Sequence, residues 1–117
     1  MAPMPRDIID SVQGTLDFLI LKTLSWGEMH GYAIARSIFD RSGEELQIEE
    51  GTLYPALHRL ENRRRIAAEW GLSENNRRAK FYRLTTAGRR ELAERTANWR
   101  RFTLVVDRVL EAAPDRV

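Results

Sequence analysis

The sequence predicts a mainly α fold with one small β-hairpin. It reads as three short helices, two strands and a long final helix. Three observations carry this. Apolar residues recur at helical spacing in three segments between residues 15 and 62. Two later runs alternate in polarity around a turn-rich loop. The last segment then keeps an apolar stripe without a breaker from Arg89 to Pro114.

The chain has 117 residues, which favours one folded unit. A chain of that size buries roughly two-thirds of its unfolded surface and needs no staples. It has no cysteine, which excludes a disulfide framework, a thiolate nucleophile and Cys-ligated zinc. Asp17 and Lys22 interrupt its longest apolar stretch, Leu16–Leu24, which falls far short of the ~20 residues of a membrane span. Arg6 is followed at once by Asp7, with no apolar signal core. A soluble cytoplasmic protein without membrane contact is expected.

Residues 1–14, with Pro3 and Pro5, read as an arm that is partly helical from Asp7. Thr15 is placed to cap the first helix, with Asp17 in its first turn. Leu16, Leu19, Ile20 and Leu24 form its stripe, widened by Phe18 and Leu21, and Gly27 ends it. The second helix spans Tyr32–Asp40, with Ile34, Ile38 and Phe39 on its apolar side. Ser42 and Gly43 break it. Leu46–Ile48 reads as a short extended piece. In the third helix, Thr52–Asn62, the residues Leu53, Ala56, Leu57 and Leu60 make a narrow buried face. Pro55 is expected in its first turn, where the missing N–H is not needed. The opposite side carries Thr52, Pro55, His58, Arg59, Asn62 and Arg63.

Ile66–Trp70 and Lys80–Leu84 alternate as strands around a loop of turn formers, giving a hairpin with a basic tip. Thr85 or Thr86 caps the final helix, which runs to about Ala113. About 27 residues at ~1.5 Å each make a rod of roughly 40 Å. A compact chain of this length is roughly 35 Å across, so the rod projects. Leu92, Thr96, Trp99, Thr103, Val106 and Leu110 form a near-heptad stripe along it, with Phe102, Val105 and Val109 beside them. A projecting apolar helix wants a partner, and the commonest partner is a second copy. Leu92, Trp99, Val106, Val109 and Leu110 are the candidate dimer contacts.

The charge is unevenly distributed. Residues 1–50 hold 4 basic and 9 acidic side chains, and residues 51–117 hold 15 and 8. Between 75 and 90 there are six basic residues and no acid. Such asymmetry suggests an anionic partner for the second half. With 17 Arg and 2 Lys, a simply solvated Arg-rich face is the bland alternative.

The element order is that of a winged helix-turn-helix over residues 15–85, followed by a dimerisation helix over 86–113. Such a module lays its third helix in the DNA major groove, and the hairpin wing reaches the backbone or minor groove. The candidate DNA contacts are Tyr32 and Arg36 on the second helix, Thr52, Tyr54, Pro55, His58 and Arg59 on the third, and Arg77, Arg78 and Lys80 on the wing. Arg suits bidentate contact with guanine or phosphate. Tyr54 is open between DNA contact and packing on the second helix. Arg63, Arg64 and Arg65 are open between capping the helix end and binding phosphate. Glu49 and Glu50 favour the helix N-terminus and oppose phosphate there. Arg77 and Arg78, at a hairpin tip, have no evident structural role.

The string Gly51-Thr52-Leu53-Tyr54-Pro55-Ala56-Leu57-His58-Arg59-Leu60 resembles the signature of the PadR transcriptional regulators. So do His30-Gly31-Tyr32, the wing strand Arg78–Thr85 and the following Ala87-Gly88-Arg89. The resemblance covers residues 14–112. It implies a homodimeric repressor on a roughly palindromic double-stranded operator, of the short branch with a single C-terminal helix. Some short members resemble multidrug sensors that hold flat aromatic molecules between paired tryptophans at the dimer centre. Trp99 and Phe18 stand at matching places, and Phe102 and Thr103 lie beside Trp99. The surroundings depart from those sensors. Thr103 stands where an acidic residue would favour cationic drugs, and Phe18 and Phe102 add bulk. The resemblance thus leaves Trp99 open between a dimer anchor and an effector site.

No elbow, phosphate loop or metal-spaced cluster points to an enzyme, a cofactor or a metal. Two histidines, His30 and His58, make a poor zinc site. The rival reading is a winged helix used for protein contacts alone, which leaves the basic wing tip unexplained.

Overall fold

A computed structural model describes residues 14–115 of the chain. Helix α1 (Thr15–Leu24) is capped by Gly14, so Thr15 is its first helical residue and not the cap the sequence suggests. Asp17 remains in the first turn, where the helix dipole favours it. A two-residue strand, β1 (Met29–His30), follows. Helix α2 (Gly31–Arg41) starts on His30, whose Nδ1 accepts from the Ala33 N–H at 3.2 Å.

Helix α3 (Glu50–Asn62) begins two residues before the expected start. Pro55 therefore lies in the second turn. Its missing N–H leaves the Gly51 carbonyl without a helical donor. Gly51 and Pro55 are both exposed, so the gap faces solvent and costs little. The stretch Leu46–Ile48 is irregular and not extended in a sheet.

Strands β2 (Ile66–Leu72) and β3 (Arg78–Leu84) are each two residues longer at the loop end than predicted. They pair antiparallel from Ile66↔Leu84 to Leu72↔Arg78. Strand β1 adds to the other edge of β3, through Met29↔Tyr82 and His30↔Phe81. The sheet thus has the order β1-β3-β2. The wing turn is closed by Ser73 N–H to the Arg77 carbonyl at 2.8 Å and Asn76 N–H to the Ser73 carbonyl at 2.9 Å.

Helix α4 (Thr86–Glu111) is capped by Thr85, whose Oγ1 accepts from the Gly88 N–H at 3.0 Å. Arg95 Nη1 donates to the Gly14 carbonyl at 3.1 Å, tying α4 to the start of α1. The core lies where α1, α2, α3 and the inner sheet face meet. Ile20, Leu21, Ile34, Leu53, Ala56, Leu57, Leu60 and Ile66 are essentially sealed from water. The four α3 residues expected inside are all there. The far half of α4 projects, and the described residues measure 68 × 29 × 23 Å. This is a winged helix-turn-helix with a long terminal helix.

Candidate nucleic-acid interface

The burial of Leu53, Ala56, Leu57 and Leu60 decides what α3 presents outward. Thr52, Tyr54, Pro55, His58, Arg59 and Asn62 are exposed. The two flanks of this face are anchored differently. On one, Arg59 Nη2 donates to Asp17 Oδ1 of α1 at 3.0 Å. On the other, Lys80 Nζ of the wing donates to Glu61 Oε1 at 2.9 Å. Helix α3 is therefore held by charge pairs on both sides, and the exposed His58 stands between them.

Tyr54 links two grooves. Its ring lies against the start of α2, so close that a Cβ on Gly31 would meet the hydroxyl at 2.8 Å. It lines one groove with Tyr32 and Arg36, and a second with Arg78 and Lys80. Tyr54 thus packs on α2 and stays half open. Tyr32 is 70% exposed. Arg36 is also exposed and pairs with Asp40 at 3.3 Å.

On the wing, Arg77 is exposed at the tip. Arg78 does have a neighbour the sequence did not suggest, for its guanidinium sits 4.7 Å from the centre of the Trp70 ring. Lys80 is the least free of the three. Its hydrogen bond to Glu61 raises its pKa above the ordinary 10.5, against the opposing effect of burial. Burial raises the Tyr82 phenol beside it above the ordinary 10.0.

The arginine run after α3 is largely structural. Arg63 Nη2 and Arg65 Nε reach Glu91 Oε1 on α4 at 2.6 and 2.9 Å. Arg95 approaches the other carboxylate oxygen at 3.3 Å. Arg64 takes a left-handed conformation, φ 59°, and its carbonyl accepts from Thr85 Oγ1. This network joins the end of α3 to α4, and only its Glu91–Arg95 pair, four residues apart on one helix, has a local signature. Arg63 and Arg65 lie 28 and 26 residues from Glu91 in the chain.

Phe18, Trp99 and Phe102 gather elsewhere, on α1 and α4. Phe18 and Trp99 have ring centroids 6.4 Å apart, and Trp99 and Phe102 6.1 Å. Thr103 Oγ1 donates to the Arg100 carbonyl at 3.0 Å. Leu92 packs on the core, and Val106 is half-buried. Val109 and Leu110 are 73% and 75% exposed. Among the described residues, no three His, Asp or Glu side chains gather to hold a metal. No described helix is long and apolar enough to cross a membrane. The arm at 1–13 lies outside the described residues.

Residues 20–94, which include α3, the wing and the start of α4, match the transcriptional regulator PadR-like family. The protein belongs to that family. As a PadR protein it is a DNA-binding transcriptional regulator and not an enzyme. Related structures carry the same fold at appreciable identity. A PadR family transcriptional regulator from Eggerthella lenta is 35% identical, with a TM-score of 0.75 over 92% of this chain and 96% of its own. A transcriptional regulator from Clostridium thermocellum is 31% identical, with a TM-score of 0.76 over 85% and 96%. An uncharacterised protein from Lysinibacillus sphaericus is 32% identical over 87% of this PadR chain and 94% of its own.

Proposed function

We propose that this PadR protein is a homodimeric repressor of a roughly palindromic operator, with residues 15–85 binding DNA and 86–113 joining the two copies. The observation that carries the reading is the α3 surface. Four buried residues fix one face, and the polar opposite face stands open beside a cationic wing. Thr52, Pro55, His58 and Arg59 would meet base edges and backbone in the major groove. Tyr32, Arg36 and Tyr54 would line its margin, and Arg77, Arg78 and Lys80 would face phosphates. Two reading helices about one DNA turn apart, roughly 34 Å, would match two half-sites.

The far half of α4 supports the dimer, since Val109 and Leu110 leave apolar surface in water. We assign Phe18, Trp99 and Phe102 to the dimer centre. Trp99 already has two aromatic neighbours, Phe18 and Phe102, which favours packing over an open slot for a flat aromatic effector. An effector that turns the α4 pair would release DNA only by binding that arrangement better.

Changing Arg77 and Arg78 together to Ala tests the wing. The expected result is weaker DNA binding and a salt dependence shallower by about one to two phosphates. An unchanged slope would remove the wing from the interface and favour a module for protein contacts.

A further inference from the structure

The inner face of the wing continues past the core. Side chains alternate along a strand, so Ile66, Ala68, Trp70 and Leu72 share one face of β2. Their partners on β3 are Leu84, Tyr82, Lys80 and Arg78. The inner end of this face, at Ile66, Leu84 and Tyr82, is buried. Its outer end is not, and Trp70 is 61% exposed. Between Trp70 and Tyr54 of α3 runs a groove of about 400 Å³, floored by Tyr82.

The two cations in this groove differ. Lys80 is spent on Glu61. Arg78 has no ion pair among the described residues, and its guanidinium lies over the indole. A cation held over a ring face is placed without using its N–H donors, which stay available to a phosphate. A large indole left in water contributes little to folding, and an exposed cation–π contact adds little more. Folding alone thus does not account for a tryptophan at this position.

We propose that Trp70 and Arg78 form a subsite for the DNA backbone, with the guanidinium on a phosphate and the indole on the adjoining deoxyribose. The subsite rests on the DNA-binding reading and adds to it a contact residue, Trp70, and a positioning role for its ring under Arg78. The occupant follows from charge, since the groove offers one unpaired cation beside an apolar plane, next to the face assigned to DNA. Lys80, besides its place on the wing's cationic side, holds the wing against α3 through Glu61.

The test uses the full chain and a fluorescent random-sequence duplex, because backbone contacts carry no sequence information. Trp70→Ala should weaken binding about tenfold, and Trp70→Phe less than threefold. Because the ring orients Arg78 as well as touching the sugar, adding Trp70→Ala to Arg78→Ala should cost clearly less than the tenfold that Trp70→Ala costs alone. Thermal melts of each variant separate binding from folding. If Trp70→Ala lowers the melting temperature, the Phe variant and the pairwise comparison decide. Wild-type affinity in Trp70→Ala would overturn the subsite, as would fully additive losses. A wild-type protein that binds no duplex would instead overturn the DNA-binding reading beneath it.

Discussion

Gly88, in the first turn of α4, lies directly under the backbone carbonyl of Arg65. A Cβ built on it would come within 2.0 Å of that oxygen and 2.7 Å of the Leu84 side chain. The same corner holds Thr85, whose N–H reaches the Arg65 carbonyl at 3.1 Å. The wing strand, the end of α3 and the start of α4 therefore meet at one backbone contact.

Gly88→Ala should accordingly destabilise the protein, although alanine is the better helix former. The obstructing atom is backbone and cannot swing away, so the cost should reach about 3 kcal/mol, the upper end of the overpacking range. A urea melt measures it. A loss within about 0.5 kcal/mol would mean that α4 does not dock this closely.

Stability should fall at high pH. Lys80 and Tyr82 both have pKa values raised in the folded state, the first by its hydrogen bond to Glu61 and the second by burial. The folded protein then holds these protons more tightly than the unfolded chain. Their contribution is complete below the ordinary values of 10.5 and 10.0, and it is lost as pH rises through the raised ones. Denaturation midpoints should decline above about pH 10, with a smaller decline in Glu61→Gln. Stability that increased over that range would contradict the sign.

The exposed half of α4 predicts a second copy. Leu110→Glu should shift the protein toward the single-chain mass in sedimentation equilibrium and leave its helix content in place. Charge at a buried interface is costly, while the core around α1 and α3 does not touch this end. A mass unchanged from wild type would move the interface elsewhere.

Much of the fold is legible in the sequence because its signals are periodic. Leu53, Ala56, Leu57 and Leu60 announce a buried helical face by spacing alone, and all four are inside. What escaped depends on distant partners. Strand β1 is two residues long and exists only because Met29 and His30 meet Tyr82 and Phe81. Glu91 gains its role from arginines 26 and 28 residues away. Pro55 suggested a later helix start, because the sequence does not show that the Gly51 carbonyl faces water. Trp70 shares its alternation with the core residues Ile66 and Ala68, and only the geometry reveals that the strand has left the core there.

We propose that α3 and the wing together bind DNA sequence-specifically. The most direct test is fluorescence anisotropy with the duplex upstream of the protein's own gene, against a shuffled duplex, across a salt series. A preference of about 10³ or more for the natural duplex is expected, with a log–log salt slope worth several phosphates. Equal, weak binding to both duplexes at every salt concentration would contradict it.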